Sequence, residues 1–500
     1  MSVDFRHIVF FGDSLTDDGN LPQPVRPDAP YVGGRFTNGR VHSEVLAREL
    51  GLSSDNYALG GAEASTDAGD PLPQRLINLS AQVETYLAQH SPFGWFGWFG
   101  GNVSPGTAAS IFIGSNDVIN ERPSDRAEAS LLATRIVSDI GDAVSTLYGA
   151  GVQHILLYTL PNTSDAPQSQ RLSATELAAA DAAVASANRG IKALAAQISP
   201  LVDATVIDVN RLEAEISADR RTFGLEELDI PVYLKSGSKL VPTGITSQYG
   251  VNEVAFFDPL HPTKAVHGII GVFSEATLEA DRVVFRGGRD DVVVGLRGGD
   301  DFILSGRGED RVSGRGGHDV IFAGAGNDRV DAGSGRDLVA GGSGDDRIRG
   351  GSNYDLLAGN DGADTIYGGS ASDIIIGGAG GDWAFGDSGN DFFFLTDDGL
   401  GNGFDRIDGG SGNDTLSVKV SSGLFNSAAF QQELQEFATM LDVAPGSAFT
   451  FDLLDLEVRS VERLEVTVGS RTVYSVGEDT PQPNKVLASF LHDADLWGIV

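Results

Sequence analysis

Gly341-Gly-Ser-Gly-Asp-Asp346-Arg-Ile-Arg349 is one full unit of a nine-residue pattern that decides the fold of the second half of the chain. Asp301, Asp310, Asp319, Asp328, Asp337, Asp346, Asp355, Asp364, Asp373, Asp382 and Asp391 succeed one another at intervals of nine. An apolar residue stands two places after each of them, from Ile303 to Phe393. Two places before each stands glycine, except at Asn353 and Ala371. A merely solvating linker would use both acids, yet residues 285–415 hold 23 Asp and a single Glu, Glu309. The same stretch carries 35 of the chain's 65 glycines. A short acid in fixed register with glycine and an apolar residue has a geometric cause.

The unit resembles the RTX nonapeptide G-G-x-G-x-D-x-U-x. That resemblance implies an all-β parallel β-roll over 285–415, with the eleven aspartates as ligands of several structural Ca²⁺ ions. The physical chemistry agrees. Glycine permits tight turns of positive φ, and a short carboxylate supplies the hard oxygen that Ca²⁺ prefers. If two repeats make one turn, residues eighteen apart, such as Asp310 and Asp328, stack on one edge with calcium between the stacked loops. Asp290-Asp291 opens an imperfect unit, and Asp414 follows Asp391 at a distance that is no multiple of nine. Weaker or absent sites are expected at both ends.

Residues 416–500 return to ordinary composition, with strand-like Phe451–Val458 and Val461–Val468 and the tail Leu496-Trp-Gly-Ile-Val500. They are expected to cap the open end of the roll. The RTX resemblance also implies a C-terminal export signal read by type I secretion machinery. The N-terminus has an acid at Asp4 and only a short apolar burst, Ile8 to Phe11, unlike a secretory leader. The expectation is a secreted, extracellular protein without an N-terminal signal peptide.

Composition narrows the partners. The 500 residues carry a net charge of −35, which repels nucleic acid and anionic membrane surfaces. With no cysteine, disulfides, thiolate metal sites and a cysteine nucleophile are excluded. No apolar run approaches the ~18 residues of a membrane-spanning helix.

Residues 1–280 alternate strand-like and helical patterns. Ile8–Phe11, Ile111–Ile113, Ile155–Tyr158 and Thr205–Val209 read as buried parallel strands. Leu132, Ile136, Ile140, Val144 and Leu147 form one helical stripe. Ser173 and Glu176 open another helix with capping-box spacing. This alternation predicts an α/β domain with a doubly wound parallel sheet, whose ligands bind beyond the carboxyl ends of the strands.

Three segments fall there. Gly12-Asp13-Ser14-Leu15 follows the first strand on a turn expected to open a helix that Asp17 and Asp18 would cap or solvate. Gly114-Ser115-Asn116-Asp117 follows a later strand, and Asp258-Pro259-Leu260-His261 lies near the domain's end. A three-residue spacing can set the Asp258 carboxylate on His261 Nδ1 and leave Nε2 to take a serine proton. With Asn56-Tyr57-Ala58-Leu59-Gly60-Gly61-Ala62, these segments resemble the four blocks of the GDSL family of SGNH serine esterases and lipases, in family order. Gly34-Arg35-Phe36-Thr37-Asn38-Gly39-Arg40 is similar to the branch of plant GDSL lipases and bacterial phospholipase/haemolysin-type enzymes.

The resemblance covers residues 5–278 and implies a three-layer α/β/α, flavodoxin-like fold. Carried over, Ser14 is the nucleophile, His261 the general base and then acid, and Asp258 its orienting partner. The oxyanion donors are the Ser14 N–H, the Gly61 N–H and the Asn116 side-chain amide, with Gly60 as an alternative to Gly61. The block lacks the last glycine of G-x-S-x-G, so it is not an α/β-hydrolase elbow. Trp95, Phe96, Trp98 and Phe99 lie among glycines and read either as a lipid-contacting lid or as rings packed on the domain.

The expected organisation is a hydrolase at 1–280, a roll at 285–415 and a cap with secretion signal at 416–500. The expected activity is hydrolysis of lipid or other carboxylic esters. Two alternatives stand beside it: a calcium-stiffened adhesion protein with an inert hydrolase-like domain, and a metal site built from Asp258, His261 and His267.

Overall fold

The computed structural model describes residues 3–477 apart from 22–26, 28–29, 65–76, 91–102, 105, 219, 221–222, 224, 226–227, 229, 237–238, 244, 246–253, 259, 396–402, 445 and 469–470. The 93–101 aromatic segment and the 478–500 tail thus lie outside the described residues. The chain divides into two compact units, Met1–Ala214 with Leu225–Glu279, and Glu215–Gly224 with Ala280–Val500.

The first unit is built on five strands, β1 (His7–Gly12), β2 (Ser53–Asn56), β3 (Thr107–Phe112), β4 (His154–Tyr158) and β5 (Asp203–Ile207). They pair in parallel in the order β2-β1-β3-β4-β5, the flavodoxin-like order. Helices α1 (His42–Glu49), α2 (Leu79–His90), α3 (Ser115–Glu121), α4 (Arg126–Gly149), α5 (Ala174–Ile198), α6 (Val209–Ala218) and α7 (Lys264–Glu279) accompany the sheet. The pleat sorts β1, since Val9 and Phe11 enter one core with the α4 stripe Leu132, Ile136, Ile140, Val144 and Leu147. On β3 and β4, Phe112 and Tyr158 stack with centroids 4.9 Å apart, against the buried His42 of α1. Ser173 caps α5 as its spacing predicts, in a full capping box with Glu176.

Strand order reverses between β1 and β3, so the residues after β1, β2 and β3 meet at the switch point. The helix expected after Ser14 does not form. Thr16 and Asp17 N–H groups close a single turn on the Asp13 carbonyl. Gly19 then takes φ +114°, and the prolines from Pro22 onward cannot continue a helix.

The second unit is a two-sheet parallel roll. One sheet runs through Arg282–Phe285, Asp301–Leu304, Val320–Ala325, Leu338–Ser343, Leu356–Asp361, Ile374–Ala379 and Phe392–Leu395. The other takes the intervening strands, from Val292–Val294 through Arg347–Ser352 to Asp405–Asp408. Partners in register are eighteen apart, as in Val330↔Ile348 and Leu338↔Leu356. The apolar residue two places after each Asp forms the core, with Ile321, Val339, Leu357 and Ile366 fully buried. Strands Thr415–Lys419, Leu456–Arg459 and Arg463–Val468 extend both sheets in parallel. Helix Ala428–Val443 closes that core with Phe430, Leu434 and Phe437.

Candidate functional site

Ser14 lies on the turn after β1. A Cβ at Gly12 would come 2.5 Å from the Phe112 carbonyl and 2.6 Å from Thr16 Oγ1, so only glycine fits where the strand meets the turn. Buried Gln82 of α2 holds both polar groups of Gly12, accepting its N–H at 2.9 Å and donating to its carbonyl at 2.8 Å. The buried Asp13 carboxylate accepts from Leu15 N–H. Burial foremost, with nearby Asp117, raises its pKa to about 7 against the lowering by Leu15 N–H and His261.

His261 is buried, with Nε2 3.0 Å from Ser14 Oγ. Its Nδ1 stands 3.0 and 2.9 Å from the Asp258 carboxylate oxygens. The spacing of three works because Asp258 Oδ1 also accepts the Leu260 and His261 N–H groups at 2.8 Å, making a local turn. Asp258 Oδ2 accepts a short hydrogen bond from the Tyr31 hydroxyl. Burial works to raise the Asp258 pKa, but facing His261 and the bonds from His261, Tyr31 and Leu260 hold it far below the usual carboxylate range. The Tyr31 phenol is pushed well up by burial and by the Asp258 charge.

Tyr31 carried no sequence signal. The 34–40 segment did, and its parts buttress the site. The Phe36 ring stacks on His261 at 5.0 Å. A Cβ at Gly60 would lie 2.2 Å from that ring. Arg35 pairs with Glu44 at 2.6 Å, and Asn38 Oδ1 accepts the Lys264 N–H at the start of α7.

The residues expected as oxyanion donors follow three adjacent strands, Ser14 after β1, Gly61 after β2 and Asn116 after β3. Among the described residues, the Ser14 N–H donates to no protein acceptor. The Asn116 amide donates to Ala62 O at 2.9 Å and has a second hydrogen. Gly61 has φ +83°, and a Cβ there would meet nothing within 4 Å. Gly60, the alternative, is engaged, because its N–H donates to Asp17 Oδ2 at 2.9 Å. Asp17 also accepts the Gly19 and Asn20 N–H groups, so it ties the Ser14 turn to the glycine block instead of capping a helix. His267 is buried in α7 and stacks on His42 at 6.2 Å. Among the described residues no three His, Asp or Glu side chains form a metal cluster, so the Asp258–His261–His267 alternative is not assembled.

In the roll the aspartates stack. The N–H of each donates to Oδ1 of the Asp eighteen residues on, as in Asp310→Asp328 at 2.7 Å and Asp355→Asp373 at 2.9 Å. The stacks continue as Asp382→Asp405 and Asp391→Asp414, both at 2.8 Å. The step of 23 at the break therefore costs neither stack its register, and Asp405 joins a set from which sequence reading omitted it. At the other end Asp301 faces the Arg282 guanidinium, Nε to Oδ1 3.2 Å.

The second carboxylate oxygens of Asp310, Asp319, Asp328, Asp337, Asp355, Asp364, Asp373, Asp382, Asp391, Asp405 and Asp414 are buried without a protein partner. Beside Asp319, Asp355, Asp364, Asp373, Asp382, Asp391 and Asp414 lies a glycine whose Cβ would fill the space, as at Gly350, 2.5 Å from Asp355 Oδ2 and 2.7 Å from Gly368 O. Burial foremost raises Asp355 and Asp364 to about 8 and Asp373 to about 9. Orphaned hard oxygens, carbonyls beside them and a burial penalty on the ionised form that a cation relieves fit Ca²⁺.

Residues 8–271, more than half of the chain, match the family described as GDSL-like Lipase/Acylhydrolase. The chain belongs to the GDSL-like lipase/acylhydrolase family. Segments between 285 and 418 match the RTX calcium-binding nonapeptide repeat. A phosphatidylcholine-sterol acyltransferase from Aeromonas hydrophila is 29% identical over 46% of this chain and 66% of its own length. The thermolabile hemolysin of Vibrio parahaemolyticus is 26% identical over 52% of this chain and 60% of its own. The chain thus spans less than two thirds of either relative. Among solved structures, Axe2, an acetylxylan esterase from Geobacillus stearothermophilus, covers 56% of this chain and 96% of its own, with 15% identity and TM-score 0.31.

Proposed function

We propose that this GDSL-family chain hydrolyses acyl esters of lipids through Ser14, His261 and Asp258. The observation that carries the reading is the line Ser14 Oγ, His261 Nε2, His261 Nδ1, Asp258, with contacts of 3.0 and 2.9–3.0 Å. His261 Nε2 takes the Ser14 proton as Oγ attacks the ester carbonyl carbon. The resulting oxyanion accepts from the Ser14 and Gly61 N–H groups and from Asn116 Nδ2. The tetrahedral intermediate collapses, His261 returns the proton to the departing alkoxide, and an alcohol leaves. Water then attacks the acyl-enzyme with His261 as base and releases the carboxylic acid.

The RTX module supplies a roll that calcium folds, and its aspartates hold the ions while the hydrolase residues do the chemistry. Type I export, with folding on meeting external calcium, accords with such a module. The Aeromonas relative's name favours one variation, transfer of the acyl group to an alcohol in place of water.

Release of p-nitrophenol from short- and longer-chain esters by wild type and Ser14→Ala tests the reading. A loss of about 10⁴-fold or more in kcat is expected. Equal rates from both proteins refute it and leave the calcium-stiffened, inert alternative. Phosphatidylcholine and triglyceride, with and without a sterol acceptor, then distinguish phospholipid hydrolysis, acylglycerol hydrolysis and transfer.

A further inference from the structure

In the nonapeptide the residues on either side of the apolar core position are bound neither by the turn nor by the aspartate ladder. Their chemistry alternates with a period of eighteen. In alternate repeats both are apolar, as in Leu338/Ala340, Leu356/Ala358 and Ile374/Ile376, all of them buried. In the repeats between they are Arg311/Ser313, Arg329/Asp331, Arg347/Arg349, Thr365/Tyr367 and Trp383/Phe385. Each set belongs to one sheet, so the roll has one apolar outer face and one face of arginine and aromatic rings.

That second face is exposed and ordered. Arg311, Arg329 and Arg347 stand in register on three neighbouring strands, and all three are exposed. Like charges at facing positions of a sheet are destabilising. Among the described residues none of the three makes an ion pair. Among the described residues, the acids at the outer positions of this sheet are Asp331, Asp408 and Glu457, and Glu457 lies 3.8 Å from Arg406, away from the three arginines.

The column then passes into rings. Arg347 lies 4.9 Å above the Tyr367 ring, and Tyr367 stacks on Phe385 at 5.0 Å and 11°. Trp383 is 46% exposed, with Arg406 stacked over it at 4.8 Å. Cross-strand stacking holds rings and guanidinium groups in place, but it does not account for three aligned arginines.

We propose that this face binds an acidic polysaccharide. Parallel strands are about 4.8 Å apart, close to the length of one pyranose unit. Successive rungs can therefore meet successive sugars of a polyuronate. The guanidinium groups pair with sugar carboxylates through two parallel bonds, and the exposed part of the Trp383 ring offers an apolar surface beside them. The net charge of −35 does not forbid this, because a Debye length of about 8 Å confines the attraction to the stripe. The proposal is independent of the chemistry at Ser14.

Titration of the full chain in millimolar calcium with hexagalacturonate, maltohexaose and phosphatidylglycerol vesicles tests it. Binding of hexagalacturonate that weakens with salt is expected, with at least tenfold weaker binding of maltohexaose and no vesicle binding. The triple substitution Arg311→Gln, Arg329→Gln, Arg347→Gln should weaken hexagalacturonate binding tenfold or more. Trp383→Ala, which removes a ring and no charge, should weaken it several-fold. Both variants should keep the calcium-dependent circular dichroism change and wild-type hydrolysis of p-nitrophenyl acetate. The proposal is overturned by no binding, by equal binding of the neutral hexaose, by vesicle binding without sugar binding, or by binding that survives in folded triple and Trp383 variants.

Discussion

The Asp258 carboxylate serves two donors, His261 Nδ1 and the Tyr31 hydroxyl. A phenol on Oδ2 withdraws negative charge from the oxygen that supports the imidazolium. Tyr31→Phe should therefore stabilise the protonated ring and move the acid limb of kcat/KM upward. If about a third of a ~2 kcal/mol charge-assisted bond is transmitted, the shift is about half a pH unit. A pH–rate profile reads it, and a profile that only falls in height, without moving, would reduce Tyr31 to a packing residue. His42 and His267 carry a second pH effect. Burial pulls His42 down to about 4, and burial with His42 and His261 nearby holds His267 well below the ordinary value. Both are neutral in the folded state, so the stability they contribute is full above about pH 6.5 and is lost as pH falls toward 4. The melting temperature of the first unit should drop over that window, and His267→Asn should flatten the drop. Of these residues, Ser14, Asp258, His261 and Asn116 were legible because each stands in a motif with a fixed spacing. Tyr31 and Gln82 were not. Each acts across a long sequence separation, Tyr31 on the Asp258 carboxylate and Gln82 on the Gly12 backbone, and nothing in local sequence marks that reach.

At the scale of elements, period decides what can be read. The stripe of α4 and the nonapeptide register both appear in the structure as their spacing requires, since one buries a helix face and the other a strand position. β2, Ser53-Ser-Asp-Asn56, is polar and partly exposed, and it is a strand only because β1 offers it a parallel edge. Helix Ala428–Val443 did have a signal, Phe430, Leu434 and Phe437 at spacings of four and three with Ser427 as N-cap, hidden within ordinary composition. The two interruptions of the glycine register test why glycine is there. Ala371 holds φ +86° where Gly362 and Gly389 hold +143° and +153° in neighbouring repeats. A Cβ at Gly362 would come 2.0 Å from the Gly344 carbonyl. Gly362→Ala should therefore destabilise the calcium-loaded roll by about 2 kcal/mol or more, and Ala371→Gly should stabilise it by about 1 kcal/mol. Chemical unfolding followed by circular dichroism measures both, and a stability unchanged in both variants would remove the steric reading of the register.

Across the whole molecule, the charge that sequence composition reports as −35 has two structural fates. Part of it is solvated, and part is folded into the aspartate stacks, where water cannot screen it. Burial raises the stacked groups, with Asp337 and Asp391 at about 7 and Asp414 at about 8. An acid whose folded value exceeds its unfolded one, near 3.9, contributes stability in its protonated form. That contribution is full below pH 4 and is lost as pH rises through 7 to 9. Calcium demands the opposite, because its ligands must be deprotonated, and so it stabilises most where the empty ladder is weakest. In chelator at pH 8 the unfolding transition of the second unit should disappear, and lowering the pH to 5 should restore part of it. Millimolar calcium at pH 8 should restore it fully. Ser14, His261 and Asp258 lie in the other unit, which has its own sheet and its own core. Hydrolysis of a soluble short-chain ester should therefore survive chelation within about twofold while the roll unfolds. Loss of that activity in step with the roll's circular dichroism signal would mean that calcium supports the hydrolase as well, and the division of labour between the two units would fall.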